Sequence, residues 1–250
     1  MVGIGTRLGL SKLSGGLFEK ILGTETDDLI VYFPMDEESG STADNAEGTA
    51  ARDGAYTGVT LGQSVSPFTA PLFDGVNDYL DIYSANFASA FNGTDGTMMG
   101  FAKVSGAGVW TDGIDRRVIN ISAGVDYIYI ARSAANNKIT MAYRASGGGA
   151  TFDNVSEDVG PTTDWKMYAL TWTHDGGDEL KAYIDGSQAG ATQTGLAEWI
   201  TALSVAGCNI GSYNTTPIKA WDGYLAHCAI WTKALTAAQL LAIYEASGVA

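Results

Sequence analysis

The sequence is short of several residue types, and each shortage excludes a class of structure. Its 250 residues include 2 cysteines, 2 histidines and 5 prolines. Such a small number of cysteines cannot form a disulfide framework, and neither Cys208 nor Cys228 has a metal-binding spacing. Both fall in predicted strands near the C-terminus, where the alternatives are free, buried thiols and a bridge between neighbouring strands.

Long hydrophobic runs are also missing. No stretch of roughly 18 apolar residues occurs, which excludes a membrane-spanning helix, and no apolar core of a secretion signal is visible near the N-terminus. A mature secreted form remains the alternative, but a chain that begins at Met1 favours a protein that is made and used without secretion.

Positive charge is scarce, with 14 basic residues against 28 acidic ones and a formal net charge of −14. Nucleic acid is therefore not expected as a partner, because its phosphates would be repelled. The first 22 residues differ, since Arg7, Lys12 and Lys20 face Glu19 alone. A weakly basic segment thus precedes a strongly acidic body.

Glycine, by contrast, is abundant at 32 residues, as expected for many short strands joined by tight turns. The strongest strand signal is residues 165–186, where Tyr168, Leu170 and Trp172 alternate with polar or small residues. Leu180 and Ile184 belong to a second alternating run. These runs predict a hairpin, which we expect in the middle of a β-sandwich.

Alternation and turn residues predict a series of further strands along the chain. They are Leu29–Phe33, Tyr56–Leu61, Ala70–Phe73, Tyr79–Tyr83, Thr97–Val104, Arg117–Ser122, Asp126–Ala131, Lys138–Arg144 and Gly223–Trp231. Polar loops are predicted at 36–55, 147–164 and 204–211. The pattern indicates an all-β fold, either a sandwich or a jelly roll. A short C-terminal helix follows, because Thr236 and Gln239 form a capping box.

Residues 1–27 are predicted to be an extended N-terminal anchoring arm, separate from a sandwich domain at 28–250. A segment with so short an apolar stripe needs a surface on which to dock. That surface is either its own domain or a neighbouring subunit. The apolar residues of the partner-binding arm would be Leu8, Leu10, Leu13, Leu17, Phe18, Ile21 and Leu22.

Four segments in order resemble the concanavalin A-like lectin/glucanase superfamily, in its laminin-G/pentraxin-like branch. They are a strand with a polar loop at 29–40, an Asp-Gly turn with its strands at 73–82, the hairpin at 165–186, and a closing strand and helix from Gly223. Together they cover about residues 28–248. The resemblance implies a two-sheet jelly roll whose relatives bind glycans, proteins or cell surfaces. Many of those relatives belong to larger extracellular or virion proteins.

The resemblance also implies a structural calcium ion as a possible cofactor, since relatives often hold one with acidic loop residues. The candidate ligands are Asp36, Asp44, Asp74 and Asp78, whose oxygens suit calcium. The alternative is that these residues only form turns through local hydrogen bonds.

Glycan binding needs exposed aromatic rings beside polar groups. Trp110, Trp199 and Trp221 lie in or beside predicted loops and are the candidates, with burial in the core as the alternative. Trp165, Trp172 and Trp231 lie on strand patterns and are predicted to be core residues.

No catalytic pattern is present, so we expect a protein that is not an enzyme. The Glu-x-Asp-x-x-Glu strand of glucanases is missing, and His174 and His227 lie in no nucleophile motif. Our first hypothesis is a virion structural protein, a phage capsid decoration or tail-surface protein bound to neighbouring capsid or tail subunits. It would form homo-oligomers and adhere to host or environmental glycans. The alternative is a carbohydrate-binding module of a bacterial surface or secreted protein.

Overall fold

Two antiparallel sheets of eight strands each make up the protein, as the expected jelly-roll sandwich requires. The computed structural model describes residues 15–149, 151–174 and 177–249. The strands are β1 (Leu29–Phe33), β2 (Thr42–Ala43), β3 (Gly54–Thr57), β4 (Thr60–Val65), β5 (Phe68–Asp74), β6 (Tyr79–Asp81), β7 (Asp95–Val104), β8 (Arg116–Ala123), β9 (Asp126–Arg132), β10 (Ile139–Ala145), β11 (Thr151–Glu157), β12 (Lys166–Thr173), β13 (Glu179–Ile184), β14 (Ser187–Thr194), β15 (Cys208–Ile210) and β16 (Asp222–Trp231).

The helices are α1 (Gly15–Leu22), α2 (Ala85–Ala90) and α3 (Ala237–Glu245). Two single 3₁₀ turns lie at Ala50–Arg52 and Ala107–Thr111. Within the described ranges, no helix is long and apolar enough to cross a membrane.

The first sheet has the order β14-β13-β12-β7-β16-β5-β4, and β1 pairs with the C-terminal half of β16. The second sheet has the order β11-β10-β9-β8-β15-β6-β3-β2. The main core lies between the two sheets, where inward-facing side chains such as Ile119, Ile130, Met141 and Leu170 pack together. Alternation along each strand produces this layer, because successive side chains point to opposite faces.

A second core covers the outer face of the first sheet. It joins Leu17 and Ile21 of α1 and Leu240 and Ile243 of α3 to strand residues that include Trp231. The molecule therefore has three layers: two helices, the first sheet and the second sheet. This placement confirms the predicted C-terminal helix, and the capping box between Thr236 and Gln239 is present.

The predicted hairpin is confirmed as β12 and β13, which pair with Trp172 opposite Leu180 and Tyr168 opposite Ile184. Asp175 and Gly176 of its turn lie outside the described residues. The hairpin is not in the middle of its sheet, because β13 continues into β14, which takes the edge. The centre is instead formed by β7 and β16, which pair along most of their lengths.

The predicted strand Tyr56–Leu61 is wrong, because the chain passes from one sheet to the other within this segment. The chain leaves the second sheet after β3 and enters the first sheet at β4. Gly58 makes the crossing with a φ of 79°. A Cβ at this position would lie 2.1 Å from the Asp78 carboxylate, so only glycine fits without a local shift.

Three strands, β2, β11 and β15, lie in segments that the sequence predicts as loops, and β14 lies in a segment for which it predicts no element. The predicted core residues Trp165, Trp172 and Trp231 are confirmed as buried. Cys208 and Cys228 are free thiols, both buried, so the disulfide alternative is wrong.

Candidate functional site

The outer face of the second sheet carries a row of aromatic side chains. In β9, Ile128 and Ile130 enter the main core. Tyr127 and Tyr129 therefore point the other way, and their rings stack with centroids 5.8 Å apart. Phe152 of β11 meets the edge of this row at 6.1 Å and is 49% exposed. A ladder of this kind gives the face an apolar surface that the solvent can reach.

Arg117 lies beside this row because β8 is irregular. The register between β8 and β9 shifts between Arg117 and Ile119, so Val118 has no partner of its own. A bulge redirects the side chains around it. The Arg117 guanidinium lies 3.6 Å from the centroid of the Tyr129 ring, in cation–π geometry.

A short flap at 212–219 rises next to Arg117. The backbone N–H of Arg117 donates to the carbonyl of Lys219 at 2.8 Å, and the N–H of Tyr213 donates to Ile218 at 3.0 Å. A second hydrogen bond lies within the flap, where the Ser212 hydroxyl donates to the carbonyl of Asn214 at 2.9 Å. The flap is thus tied both to β8 and to itself.

The flap and the sheet enclose a cleft of about 440 Å³. Arg117, Tyr127 and Tyr129 form its floor, and Tyr213 and Lys219 form its wall. This volume is within the usual range of small-molecule sites, roughly 300–1,000 Å³. Aromatic walls with a few charged groups are also typical of such sites.

The charges of the cleft are two cations and one carboxylate. Asp115 accepts a hydrogen bond from Lys219 Nζ at 3.1 Å and another from the Ala134 N–H at 2.8 Å. Burial raises the pKa of Asp115, but these two hydrogen bonds and the positive charges of Lys219 and Arg117 together leave the pKa below its ordinary value. Burial lowers the pKa of Arg117, while Tyr129 and Asp115 oppose that effect.

The segment before β8 is held by a different set of arginines. Asp112 bridges Arg116, at 2.6 Å, and Arg132, at 3.0 Å. Arg132 also donates to the carbonyls of Trp110 and Ile114. Its side chain is completely buried. The Arg132 guanidinium thus donates to both carbonyl and carboxylate oxygens, and these hydrogen bonds fix the loop that carries Asp115.

The three tryptophans predicted for glycan binding lie elsewhere. Trp110, Trp199 and Trp221 are 4%, 7% and 1% exposed and belong to the main core. The expectation that they face solvent is wrong, because their rings are large enough to fill the space between the sheets. Trp199 packs on Phe91 at 5.5 Å, and the Trp110 indole N–H donates to the Thr162 carbonyl at 2.7 Å.

The carboxylates predicted for calcium do not form a metal centre in the described part of the chain, where no group of three or more acidic, histidine or cysteine side chains is arranged to hold an ion. Asp74 accepts from the backbone N–H groups of Val76 and Asn77. Asp78 accepts from the N–H of Asp74 at 2.9 Å. The turn-forming alternative therefore describes these two residues. Asp36 lies in the loop between β1 and β2, and Asp44 directly follows β2.

The apolar residues predicted for the partner-binding arm fall into two groups, those outside the described residues and those in α1. Leu8, Leu10 and Leu13 lie outside the described residues. Leu17 and Ile21 are fully buried against the protein's own first sheet. Phe18 and Leu22 pack at the edge of the same cluster. The apolar face of α1 is thus used within this chain, and the partner-binding role expected for these residues stays a prediction.

The sequence contains a signal for part of the cleft. The run Tyr127-Ile128-Tyr129-Ile130 puts two tyrosines on one face of a strand. Arg117, Tyr213 and Lys219 come together only through the pairing of β8 with a distant loop, which local spacing does not reveal.

The chain belongs to the concanavalin A-like lectin/glucanase superfamily. A family model with that description, of laminin-G type, matches residues 73–241, more than half of the chain. The predicted resemblance is thereby confirmed. No curated protein sequence matches this chain.

Several solved structures share the fold. The binding domain of botulinum neurotoxin serotype D superposes with a TM-score of 0.64 at 13% identity, covering 88% of this chain and 52% of that one. The binding domain of Paraclostridial Mosquitocidal Protein 1 gives 0.63 at 10% identity, with coverage of 88% and 52%. A Trypanosoma rangeli sialidase in complex with sialic acid gives 0.61 at 11% identity, covering 87% of this chain and 33% of that one. This chain thus spans about half the length of the two toxin domains, and at these identities the likeness concerns the fold alone.

Proposed function

We propose that this protein is a non-enzymatic recognition domain that binds a saccharide in the cleft between the flap and the second sheet. The observation that supports the proposal is the combination, in one solvent-reachable cavity, of tyrosine rings with charged hydrogen-bonding groups. Sugars present C–H faces and hydroxyl edges, so a site that holds them needs apolar ring surface beside polar groups. Two solved relatives of the fold are named as binding domains, and the sialidase is named as holding sialic acid.

The proposal of binding without catalysis is supported by the acidic groups of the cleft. Retaining and inverting glycosidases generally use a pair of carboxylates on either side of the scissile bond. Among the described residues that line this cleft, Asp115 is the single carboxylate, and it is engaged with Lys219. An oligosaccharide that is bound here should therefore be released unchanged.

The experiment is a glycan array of neutral and acidic oligosaccharides, followed by calorimetry with the best probe. We expect Tyr213→Ala to weaken binding roughly tenfold or more, as truncation of a central aromatic contact commonly does. Tyr79→Ala is the matched control, because Tyr79 belongs to β6 of the same sheet and does not line the cleft. Equal losses in both variants, or release of shorter sugars from the probe, would contradict the proposal.

The narrower proposal is that the domain is displayed on a virion as a capsid decoration or tail-surface protein, with an extracellular or cell-surface location as the alternative. It is supported by the division of charge, since residues 1–14 carry Arg7 and Lys12 and no acid, before an acidic body. These residues would contact capsid or tail subunits, or other copies of the chain. The boundary of the proposed arm moves from residue 27 to residue 14, because α1 packs on the body.

Light scattering of the full chain and of residues 15–250 tests this anchoring role. A mass that falls to that of a monomer on truncation supports an arm that joins copies. Two identical monomers that also fail to sediment with purified phage particles would overturn the virion proposal.

A further inference from the structure

We infer that the cleft selects saccharides that carry a carboxylate, with Arg117 as the charge partner of that carboxylate and Lys219 as a second cation at the rim. The inference rests on the proposed function and adds the class of ligand. The chemistry is shared by uronic acids and sialic acids, so both are included in the test.

Arg117 is the residue that carries the argument. It is 7% exposed and lines the cleft, and its Nε has no hydrogen-bond partner, a feature that it shares with Arg52 and Arg132. The guanidinium lies over the Tyr129 ring, with its central carbon 3.6 Å from the ring centroid, so this contact positions it before any ligand arrives. An arginine fixed in this way can offer two parallel N–H donors to a carboxylate.

The neighbouring arginines show what a purely structural role looks like in this protein. Arg116 donates to Asp112 and to the carbonyls of Gly75 and Ala220. Arg132 donates to Asp112, to Asn137 and to two carbonyls. Both guanidinium groups are engaged with protein oxygens on several sides. Arg117 lines the cleft whereas Arg116 and Arg132 do not, so it is the one of these three arginines that a ligand in the cleft can meet.

Lys219 provides the second observation. Its ammonium group already binds a carboxylate inside the cleft, that of Asp115, at 3.1 Å. It also lies 5.7 Å from the Tyr213 ring. The lining therefore carries two cations against one acid in a protein whose net charge is −14. A local excess of positive charge in such an acidic protein favours an anionic ligand in this cleft.

The test compares sugars that differ only in charge. The probes are tetragalacturonate and sialyllactose, each against its methyl ester, titrated into the full chain by calorimetry. We expect at least one acid to bind roughly tenfold to a hundredfold more tightly than its ester, the range that corresponds to a charge-assisted hydrogen bond. Equal binding of acid and ester in both pairs overturns the inference but leaves saccharide binding intact. If no acid, no ester and no neutral sugar of the array binds, the proposed function fails as well.

Variants at the rim keep the test independent of folding. Lys219→Gln should lower the preference for acid over ester, whereas Lys181→Gln should not. The two lysines are matched, because Lys181 is also paired with a carboxylate, Glu179, but lies on β13 of the other sheet. Arg117→Lys keeps the positive charge but loses the planar pair of N–H donors of the guanidinium, so this variant should bind the acid several-fold more weakly. Equal preferences in Lys219→Gln, Arg117→Lys and the wild type would contradict the assignment.

A substitution at Asp115 should strengthen binding of the acidic sugar, whereas the substitutions at Lys219 and Arg117 should weaken it. Asp115→Asn retains an oxygen for the Ala134 N–H but removes the carboxylate that occupies Lys219. We expect it to bind the acidic sugar more tightly and the methyl ester unchanged. Weaker binding of the acid by this variant would show that Asp115 positions the ligand rather than competes with it.

Discussion

His227 is an ionisable side chain enclosed in the second core. It is 4% exposed and lies at the irregularity in β16, where its backbone has a φ of 50°. Its Nδ1 is 2.7 Å from the Tyr32 hydroxyl, and its ring lies 4.8 Å from that of Phe68. Burial lowers the pKa of His227 to about 3, so the folded protein holds it neutral.

This burial makes stability depend on pH in a definite direction. In the unfolded chain His227 takes up a proton below about pH 6.5, whereas the folded state resists protonation until about pH 3. The free energy of unfolding contributed by this group is thus fully present above pH 6.5 and declines as the pH falls toward 3. Each pH unit in that window corresponds to at most about 1.4 kcal/mol.

Urea unfolding between pH 7 and pH 5 tests this prediction. We expect His227→Asn, which suits the left-handed backbone, to show a pH dependence that is flatter by roughly 1–2 kcal/mol over this range, even if it is less stable overall. His174→Asn is the control, because His174 is partly exposed at the end of β12. If wild type and His227→Asn lose stability in parallel, His227 does not set the acid response.

Single residues also show where sequence reasoning reached its limit. The outward tyrosines of β9 follow from a period of two, so their shared face could be predicted from the sequence. The misplaced tryptophans could not, because a loop in the sequence says nothing about whether it folds inward, as at Trp221. Arg117 depends on a bulge whose position is set by pairing with β9, a contact that the sequence of β8 alone does not define.

Among the elements, α1 tests whether the N-terminal region belongs to the body. It has eight residues and would not be stable alone, so its helix depends on packing. Leu17 is fully buried in the second core with Leu240 of α3. We expect Leu17→Ala to destabilise the protein by about 2–5 kcal/mol, the usual cost of deleting a buried leucine side chain.

Glu19→Ala on the same helix is the matched control, since Glu19 is exposed and should change the free energy of unfolding by less than about 0.5 kcal/mol. Chemical denaturation of the monomer measures both variants. An unchanged stability in Leu17→Ala would mean that α1 packs elsewhere in solution, as an arm on a neighbouring subunit would.

The sequence predicts best those elements whose own residues show a strong pattern, such as alternation or a capping box. The hairpin of β12 and β13 alternates over its whole length, and α3 has a capping box and an apolar face. β14 is a polar, largely exposed edge strand, and β15 has three residues. Such strands exist because a neighbour supplies hydrogen bonds, so their own residues carry little information about them.

At the scale of the whole molecule, the layers leave one sheet face for recognition. The outer face of the first sheet is covered by α1 and α3. The outer face of the second sheet is crossed at one end by the flap, and that crossing creates the cleft. The placement of the candidate site thus follows from which sheet the terminal helices cover.

The whole-molecule charge predicts an unusual response to salt. The whole chain carries a net charge of −14, so it repels an acidic sugar at long range, while Arg117 and Lys219 attract the sugar at contact. Charges interact over roughly 30 Å at 0.01 M salt but over only about 8 Å at 0.15 M. Added salt therefore weakens the long-range repulsion before it weakens the attraction at contact. Association of tetragalacturonate should therefore become faster when salt rises from 0.01 M to 0.15 M, as measured by stopped-flow tyrosine and tryptophan fluorescence. Lys219→Gln should keep this acceleration but dissociate the sugar faster, because it removes only the contact term. A rate that falls steadily with salt would show that the cleft's own positive charge governs the approach of the ligand.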